Sequence, residues 1–450
     1  MSDEVRKLIG GSFNNPGPFA GLLTVSLSVF LPFYLKKSFF ISWIFLLFSI
    51  ICVFILPFTI SRAAWVSAII AMIIYFVRNT RLIGLLTSNP FLIVILFLIG
   101  LMFSYFIYCL KKPSADGRIY MNKICINKIV HSKVLGSGLG TYCGAYGDEQ
   151  LRYFLSDSYP DFPTDWNACY NKKNRLVADA PNRSFNEILR LGIEAGPIAM
   201  ILFILIVIIS CVLFLKNNNL YGYSFIALMV FCSFSYPLDY FIFRFILSIL
   251  LAIAGTLAST NKNNAYSIIS LSVIFIILLS ICSFYISTVI DRKNAYTKWL
   301  DIQAKHDEYD ELFANDCSVL LPIICDNQDF LYKYGLSLHN IGRYKDSNRV
   351  LYMGTKISSD PMFWNILGQN YKKIGNNDLA EKCYKHAFWM LPNRIYPLYL
   401  LAELYLDIND ETKYIDIKTF IDSFVPKKEN ELTLFIRQEI NKLEKTYRCP

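Results

Sequence analysis

Charged side chains are scarce in this 450-residue chain: Asp, Glu, Lys and Arg make up 18% of it, whereas hydrophobic residues make up 54%. This balance excludes an ordinary soluble protein and places much of the chain in lipid. The net charge of +9 comes from residues 1–290, which hold 22 Lys and Arg against 12 Asp and Glu, whereas residues 291–450 hold 22 against 23. In a membrane segment such an excess indicates topology signals and anionic lipid-linked substrates rather than nucleic acid.

The sequence also lacks the spacings of metal and nucleotide chemistry. It has no C-x-x-C pair, no DxD-type acidic cluster and no local Ser-His-Asp support. The glycines at 136, 138 and 140 do not have the G-x-G-x-x-G spacing, so we interpret them as a flexible turn. His131 has no partner at metal-ligand spacing, and we therefore expect neither metal nor cofactor. Cys143 and Cys169 share one polar loop, where they form either a disulfide or two free thiols.

Long apolar runs predict an all-α fold with a polytopic membrane helix bundle of about seven to eight spans. The predicted spans, of which the third and sixth are short, are 18–35, 39–57, 64–76, 91–110, 193–215, 221–234, 238–257 and 265–290. No cleavable signal peptide is predicted, because the first run is followed by many others.

Basic residues in alternate short loops predict the orientation, because Lys and Arg are retained on the cytoplasmic side. They are Lys36, Lys37, Arg78, Arg81, Lys216 and Lys262. The polar stretch 111–191 and everything after residue 290 are then external. In a Gram-negative cell this means the periplasm, with the protein in the inner membrane. The amino terminus is also external in this topology, which leads us to expect earlier spans missing from this chain.

Ionisable residues at the edges of spans are candidates for function, because a charge in lipid is costly. They are Arg62, Glu194, Asp239 and Arg244, of which we place the last two in the seventh span, where snorkelling towards the interface is the alternative. Arg118, Arg183 and Arg190 lie in the external loop. Arg152, Lys172, Lys173 and Arg175 also lie there, and we expect these four to be solvated. Arg62 and the loop arginines share the outer face, where guanidinium groups suit a lipid pyrophosphate.

The polar tail contains a repeat. Gly335 and Gly368 are 33 residues apart, as are Gly342 and Gly375, close to the tetratricopeptide period. The second copy has the tetratricopeptide spacing at Trp364, Leu367, Gly368, Tyr371, Gly375, Ala380, Tyr384, Ala387 and Pro392. We predict two to four helical hairpins over 326–410, a third hairpin starting at Tyr396 and a closing amphipathic helix at 427–447. This tetratricopeptide-like α-solenoid either binds a peptide or protein, or forms a structural lid.

The predicted domain organisation follows from these observations. A membrane domain spans residues 1–290 and includes the large periplasmic loop 111–191. A linker helix spans 291–325, and the repeat domain spans 326–450.

Several segments, taken in order, resemble one family, the O-antigen ligases and O-antigen polymerases, which include protein O-oligosaccharyltransferases. The segments are GSFNNPGPFAGLL (11–23), SRAAW (61–65), DGR (116–118) with LGSGLGTY (135–142), and FNEILRLGIEAGPIAM (185–200). Each segment alone is a weak signal, but the four in this order with this topology are fairly specific.

The resemblance implies a GT-C-type fold and an inverting, metal-independent transfer of a glycan from undecaprenyl pyrophosphate to an acceptor hydroxyl. The acceptor would be lipid A core or a protein. Arg62 and Arg118 match arginines thought to hold the pyrophosphate. Asn186, Glu187 and Glu194 match polar positions that would orient the acceptor or the loop, and Arg183 would contribute charge.

The sequence departs from the family pattern in two ways. The histidine that precedes the matched Asn is Phe185 here, which leaves Glu187 or Glu194 as the base for the acceptor hydroxyl. The match also starts in the middle of the family's membrane domain, so we expect about five further spans to be missing. The chain would then be a fragment, or its activity would depend on a partner.

Three other functions are weighed against a ligase. Polysaccharide polymerase activity is the nearest, and no residue decides between the two. A non-catalytic assembly protein, with the membrane domain as anchor and the repeats as a docking surface, belongs to a different class and is motivated by Phe185. A transporter is disfavoured, because the spans show no inverted repeat and little polar lining.

Overall fold

The computed structural model describes residues 10, 13, 15–36, 42–79, 90–132, 134–155, 158–172, 174–258, 288–306 and 309–448. These residues contain helices and no strand, which confirms the predicted all-α class. The chain divides into two compact units. The first comprises residues 1–118, 133–136 and 183–262, and the second comprises 119–132, 137–182 and 263–450. Most of the polar loop therefore groups with the tail. Predicted span 265–290 lies mostly outside the described residues.

Helices up to residue 258 are numbered in chain order. They are α1 (Pro16–Lys36), α2 (Ser42–Ile55), α3 (Arg62–Asn79), α4 (Pro90–Leu110), α5 (Lys112–His131), α6 (Tyr142–Leu155), α7 (Glu187–Glu194), α8 (Pro197–Lys216), α9 (Tyr221–Cys232) and α10 (Phe241–Ala258). Short 3₁₀ turns occur at Leu56–Thr59, Trp166–Asn171 and Pro237–Asp239. The stretch predicted as a polar loop is thus partly helical, in α5 and α6.

Apolar helices coincide with the first seven predicted spans. Among the described residues, α1, α3, α8 and α10 are long and apolar enough to cross a membrane, while the stretches Trp43–Thr59 and Tyr221–Cys232 are shorter. Helix α4 has 21 residues and no charged side chain. The prediction of a short sixth span is confirmed, whereas the third is longer than predicted.

Helix α9 lies at the centre of the first unit, since nearly all of its residues are buried. Small residues allow close approach of its neighbours. A Cβ at Gly21 of α1 would lie 2.2 Å from the ring of Phe231 in α9. Hydroxyl groups bond backbone carbonyls across the helices: Thr24 donates to Ala64 at 3.2 Å, and Ser224 donates to Val25 at 3.2 Å. Buried hydroxyls are thereby satisfied without charged groups.

Two predicted span boundaries are wrong. The fifth span does not start at residue 193, because α7 ends at Glu194 and α8 begins at Pro197. Gly196 lies between them with φ of 92°, which a glycine adopts without strain. Asp239 does not lie in the seventh span either. It belongs to the 3₁₀ turn Pro237–Asp239, and α10 starts two residues later.

The second unit contains paired helices beyond residue 309. Together with the helical segment 288–305, they are α11 (Glu311–Ser318), α12 (Leu321–Ile324), α13 (Gln328–Asn340), α14 (Tyr344–Thr355), α15 (Met362–Ile374), α16 (Asn377–Met390), α17 (Tyr396–Asp407), α18 (Glu411–Ser423) and α19 (Glu431–Arg448). Helices α13 to α18 are joined by short connections, and each of them contacts the next one along the chain. Their assignment as tetratricopeptide repeats stays a prediction.

Glycines set the distance between paired helices. A Cβ at Gly335 would lie 2.5 Å from Leu351, and one at Gly368 would lie 2.3 Å from the ring of Tyr384. Tyr384 is fully buried. Trp364 is half-buried and stacks on His386 with 3.7 Å between ring centres.

Residues 137–182 pack on these helices, and Arg175 is their anchor. The expectation that Arg175 is solvated is wrong, because only 4% of it is exposed. Its guanidinium donates to the carbonyl of Pro392 at 2.8 Å and to the carbonyl of Val425. It also lies 4.3 Å from the centre of the Tyr170 ring. A buried guanidinium needs such acceptors, because an unpaired charge would be costly.

Candidate functional site

A short polar helix, α7, forms the base of the candidate site in the first unit. Asn186 caps it: its side-chain oxygen accepts hydrogen bonds from the backbone N–H groups of Ile188 and Leu189, both at 3.1 Å. Ser184 holds the cap in place, because its hydroxyl accepts from the Asn186 N–H at 3.1 Å. An Asn at this position satisfies the unpaired N–H groups of the first turn. Asn186 therefore orients the start of α7.

Arg190 of α7 is surrounded by carboxylates. It lies 3.6 Å from Glu187 and 3.5 Å from Glu194, and it donates to Asp239 in the turn after α9. Glu187 and Glu194 are only 6% and 7% exposed. Buried carboxylates need a cationic or hydrogen-bonding partner. Arg190 thus joins α7 to the turn at Pro237–Asp239.

Glu187 combines burial with a second bond to that turn. Its Oε1 accepts a hydrogen bond from the backbone N–H of Leu238 at 2.9 Å. Burial raises the pKa of Glu187 to about 7, although the positive charge of Arg190 opposes the shift. A carboxyl group with a pKa near 7 exchanges a proton under physiological conditions.

Aromatic side chains form a cluster beside α7. Tyr236, 8% exposed, accepts a hydrogen bond from Asn15 at 2.8 Å and meets the Phe185 ring edge-on at 5.4 Å. Arg183 lies 5.0 Å above the Tyr236 ring, and its Nη1 donates to the Tyr240 hydroxyl at 3.3 Å. This arrangement holds a half-exposed guanidinium against two phenol rings.

Arg118 reaches the same cluster from α5. Its guanidinium carbon lies 4.5 Å from the centre of the Phe185 ring, and its Nη1 donates to the carbonyl of Phe234 at 3.0 Å. Burial and the nearby positive charge of Arg62 lower the pKa of Arg118. Two guanidinium groups that repel each other are suited to share one anion, such as a pyrophosphate.

Arg62 occupies the first position of α3. It donates to the carbonyl of Lys111 at 3.3 Å and to the hydroxyl of Ser114 at 3.4 Å. These bonds join the start of α3 to the end of α4 and the beginning of α5. Arg62 and Arg118 are 56 residues apart in the sequence, and the fold of the first unit brings their charges together.

The glycine-rich stretch is a turn, as predicted, but Gly136 also has a packing role. A Cβ at Gly136, with φ of 72°, would lie 2.6 Å from the carbonyl oxygen of Glu194. A Cβ at Gly196 would lie 2.0 Å from the carbonyl oxygen of Val134. Backbones therefore cross here at a distance that only glycine permits. This crossing fixes the junction of α7 and α8, next to Glu194.

The predicted site residues fall into two groups within the first unit. Arg118 and Arg183 contact the aromatic cluster, and Arg62 lies near Arg118 through its bonds to Lys111 and Ser114. Glu187 and Glu194 belong to α7, which Asn186 caps. Sequence reasoning missed the central position of Arg190, although its spacing of three and four from Glu187 and Glu194 is a signal for ion pairs on one helix face. It also missed Tyr236, whose contacts with Asn15, Arg183 and Phe185 depend on long-range packing.

Other candidates from the sequence have structural explanations. In the part of the chain that the structure describes, no cluster of His, Cys, Asp and Glu could hold a metal ion. His131 pairs with the buried Glu149 at 2.9 Å. Cys169 forms no disulfide, which favours the second of the two alternatives for Cys143 and Cys169.

Comparison with known families supports the resemblance. A family model described as O-antigen ligase matches residues 45–204. The matched range includes Arg62, Arg118 and all of α7, so it covers most of the candidate site. No curated protein matches the chain. Together with the apolar helices, the match supports a multi-pass membrane protein similar to O-antigen ligases and polymerases.

Proposed function

We propose that the protein is a membrane glycosyltransferase that transfers a glycan from undecaprenyl pyrophosphate to an acceptor hydroxyl on the periplasmic side of the inner membrane. The observation that carries this proposal is the position of Arg118, held between the Phe185 ring and the Phe234 carbonyl, with the charge of Arg62 nearby. The match to the O-antigen ligase model over this region supports it.

Arg62 and Arg118 would bind the pyrophosphate of the donor. In the transfer, the bond between the anomeric carbon of the glycan and the pyrophosphate oxygen breaks, and its electron pair leaves with the pyrophosphate. The acceptor oxygen attacks the opposite face of the anomeric carbon, so the configuration inverts. The guanidinium groups would stabilise the charge that develops on the leaving oxygen, which lowers the barrier.

Glu187 would accept the proton of the acceptor hydroxyl, directly or through a water molecule. The resemblance to the O-antigen ligases implies a histidine at the position of Phe185, and an aromatic hydrocarbon cannot take a proton. Glu187 lies two residues away, and its pKa of about 7 suits a general base. The positive charge of Arg190 favours the deprotonated form of Glu187. This effect would be weakened, because the same guanidinium also pairs with Glu194 and Asp239.

Complementation in the organism that encodes the chain tests this function. After deletion of the gene, the wild-type gene is expected to restore the surface polysaccharide, whereas Arg118→Ala and Arg62→Ala are expected to leave undecaprenyl-linked glycan to accumulate. Arg152→Ala is the matched control, because Arg152 is an exposed arginine in the last turn of α6. Membrane levels of each variant are measured by immunoblot. Full restoration by both arginine variants would contradict the proposed role of the pair.

The same strains separate the rival functions. If the protein is a polymerase, its loss alters the chain length of the glycan but not the attachment. If it is a ligase, its loss abolishes the attachment. The absence of a base at Phe185 favours a non-catalytic assembly protein as the second candidate. This function would depend on the repeats and not on the two arginines. In that case Arg62→Ala and Arg118→Ala remain active, and substitutions of Trp364 and Tyr384 in the repeats abolish function.

A further inference from the structure

The helical segment 288–305 is attached to the second unit by one face. Ala295 and Trp299, one turn apart, are 3% and 1% exposed. The Trp299 ring meets the ring of Phe313 in α11 edge-on at 5.8 Å and the ring of Phe330 in α13 edge-on at 5.2 Å. Most other side chains of the segment are exposed. Its remaining faces are therefore open to the surroundings of the second unit.

Large apolar side chains are exposed at high density between residues 288 and 323. Among the described residues, this stretch holds seven of them, whereas the much longer stretch 328–423 holds four. The seven are Val289, Ile290, Tyr296, Leu300, Leu312, Val319 and Ile323. Water disfavours such a surface, and an excess of exposed apolar side chains marks contact with a protein or a membrane.

A groove of about 740 Å³ separates the first turns of segment 288–305 from the turn between α11 and α12. Its lining includes Thr288, Asp291, Ala295 and Lys298 on one side and Val319, Pro322 and Ile323 on the other. Val319 is 71% exposed and Ile323 is 38% exposed, so the second wall is apolar. Arg292 pairs with Asp326 across the groove. We refer to it as the α11–α12 groove.

The chain reaches the α11–α12 groove directly from an apolar run. Residues 263–290 contain no charged side chain, and a run of this length is sufficient to cross a bilayer. A helix rises 1.5 Å per residue, so Lys298 lies about 12 Å along the axis from Ile290. The headgroup layer on each side of the hydrocarbon core is about 5–8 Å thick. The groove begins at Thr288 and therefore starts at the level of this layer.

The same turns carry side chains that suit a headgroup layer. Lys293 and Lys298 are exposed and have no ion-pair partner among the described residues. Such a lysine lays its alkyl stem on apolar surface and keeps its ammonium group at the level of the phosphates. Tyr296, 48% exposed, is of a type that is enriched at membrane interfaces. Asp291 offsets part of the positive charge, so the surface suits zwitterionic lipid as well as anionic lipid.

We propose that the α11–α12 groove is embedded in the surface of the bilayer, where phospholipid acyl chains pack on Val319 and Ile323 and Lys298 lies among the headgroup phosphates. A second copy of the chain is the other occupant that an apolar surface admits. Lipid is favoured, because the exposed apolar side chains follow directly on the uncharged run and become sparse beyond residue 323. The groove thus anchors the second unit on the membrane, whichever reaction the protein catalyses.

Photocrosslinking of the full-length protein in phosphatidylcholine nanodiscs tests the proposal. The photoreactive p-benzoylphenylalanine replaces Val319, Tyr296 or Leu379 in three separate variants. Leu379 is the matched control, because it is an apolar residue of α16 that is 37% exposed. After irradiation, mass spectrometry detects peptides that have gained the mass of the phospholipid. The yield at positions 319 and 296 is expected to exceed that at 379 by about tenfold or more, the ratio that corresponds to burial of one apolar side chain.

Position 319 decides the outcome. It is expected to accept the larger side chain, because 71% of Val319 is exposed, and circular dichroism checks that the helix content is unchanged. Absence of a lipid adduct at 319, or equal yields at 319 and 379, would overturn the proposal. Crosslinking of 319 to a second copy, seen as a dimer on a denaturing gel, would overturn it in favour of an interface between copies. Complementation by Arg118 variants is independent of these results, so failure here and failure of the transferase function are distinguishable.

Discussion

Arg118 lies with its guanidinium carbon 4.5 Å from the centre of the Phe185 ring, although the two residues belong to segments 67 positions apart. The Phe234 carbonyl holds the other side of the same guanidinium. Phe185 thus supports a cation, and its hydrocarbon ring has no group that could serve as a base.

Phe185→Leu is expected to lower the transfer rate more than Phe185→Tyr. A leucine fills the space but loses the cation–π attraction, which is worth about 1–2 kcal/mol when partly desolvated, or about 5- to 30-fold. The tyrosine keeps the ring. The measurement is transfer of labelled donor glycan in isolated membranes, with the donor KM and kcat separated. Equal losses in both variants would indicate a packing role alone.

Arg190→Ala is expected to destabilise the first unit, because Glu187 and Glu194 would remain buried without their cation. Removal of one partner from a buried ion pair costs about 3 kcal/mol or more. The melting temperature of the purified protein in detergent is expected to fall clearly, whereas that of Arg152→Ala stays within a degree or two. In the double variant with Glu194→Gln, part of the loss is expected to return. An additive double variant would argue against direct coupling of the pair.

The stability of the protein is expected to depend on pH through Glu187. Its pKa is raised from 4.5 to about 7 in the folded state, chiefly by burial, so the folded state binds the proton more tightly than the unfolded state. This contribution is complete below about pH 4.5 and is lost as the pH rises through 7, with an upper limit of about 3 kcal/mol. Melting curves at pH 5.5 and 8 are expected to differ less in Glu187→Gln than in the wild type.

Activity is expected to have the opposite dependence on pH. If Glu187 is the base, transfer rises as the carboxyl loses its proton around pH 7, and Glu187→Gln removes both the activity and this rise. Glu194→Gln serves as the comparison. A normal pH profile in Glu187→Gln would exclude this glutamate as the base and would direct attention to a bound water or to the acceptor itself.

Arg175→Ala is expected to loosen residues 137–182 from the helices of the second unit. The substitution leaves the buried carbonyl of Pro392 and the part-buried carbonyl of Val425 without their donor, and a buried group without a partner costs about 1–3 kcal/mol. Limited proteolysis of the purified protein is expected to cut this segment earlier than in the wild type. Arg152→Ala is again the control, and equal cleavage rates would contradict the anchoring role.

Gly196→Ala is expected to be strongly destabilising, because φ is 92° and the new Cβ would lie 2.0 Å from the Val134 carbonyl oxygen. Gly100→Ala is the matched control, since nothing lies within 4 Å of its Cβ position. Membrane abundance and melting temperature are measured for both. Similar values for the two variants would indicate that the chain crossing is not tight.

Apolar length and repeat spacing were sufficient to predict much of the fold. Apolar residues such as Val25 and Ile201 indicate contact with lipid or with the core from the local sequence alone, so the first seven spans could be found. The glycine spacing likewise indicated the paired helices of the tail. The break at Gly196 could not, because a lone glycine before a proline is compatible with several structures. Its reason is the contact with residue 134, which is distant in the sequence.

The candidate site was predictable only in part. Arg62 and Arg118 could be chosen because charges at span ends are few, and the family resemblance selected the same two. Arg175 was misjudged, because nothing local distinguishes a buried loop arginine from a solvated one. Tyr236 could not be singled out among 29 tyrosines, since its partners Asn15 and Phe185 become neighbours only through tertiary packing.

The break between α7 and α8 has a consequence for how the chain enters the membrane. Helix α8 runs from Pro197 to Lys216 and carries no charge before its last residue. Had one continuous helix begun at Glu187, the insertion machinery would have met two glutamates and an arginine within the same segment, at a cost of about 2.5–3.5 kcal/mol for each charge at mid-bilayer. Because the helix breaks at Gly196, the segment that enters the hydrocarbon region is apolar. The ionic residues that the proposed chemistry needs stay outside it.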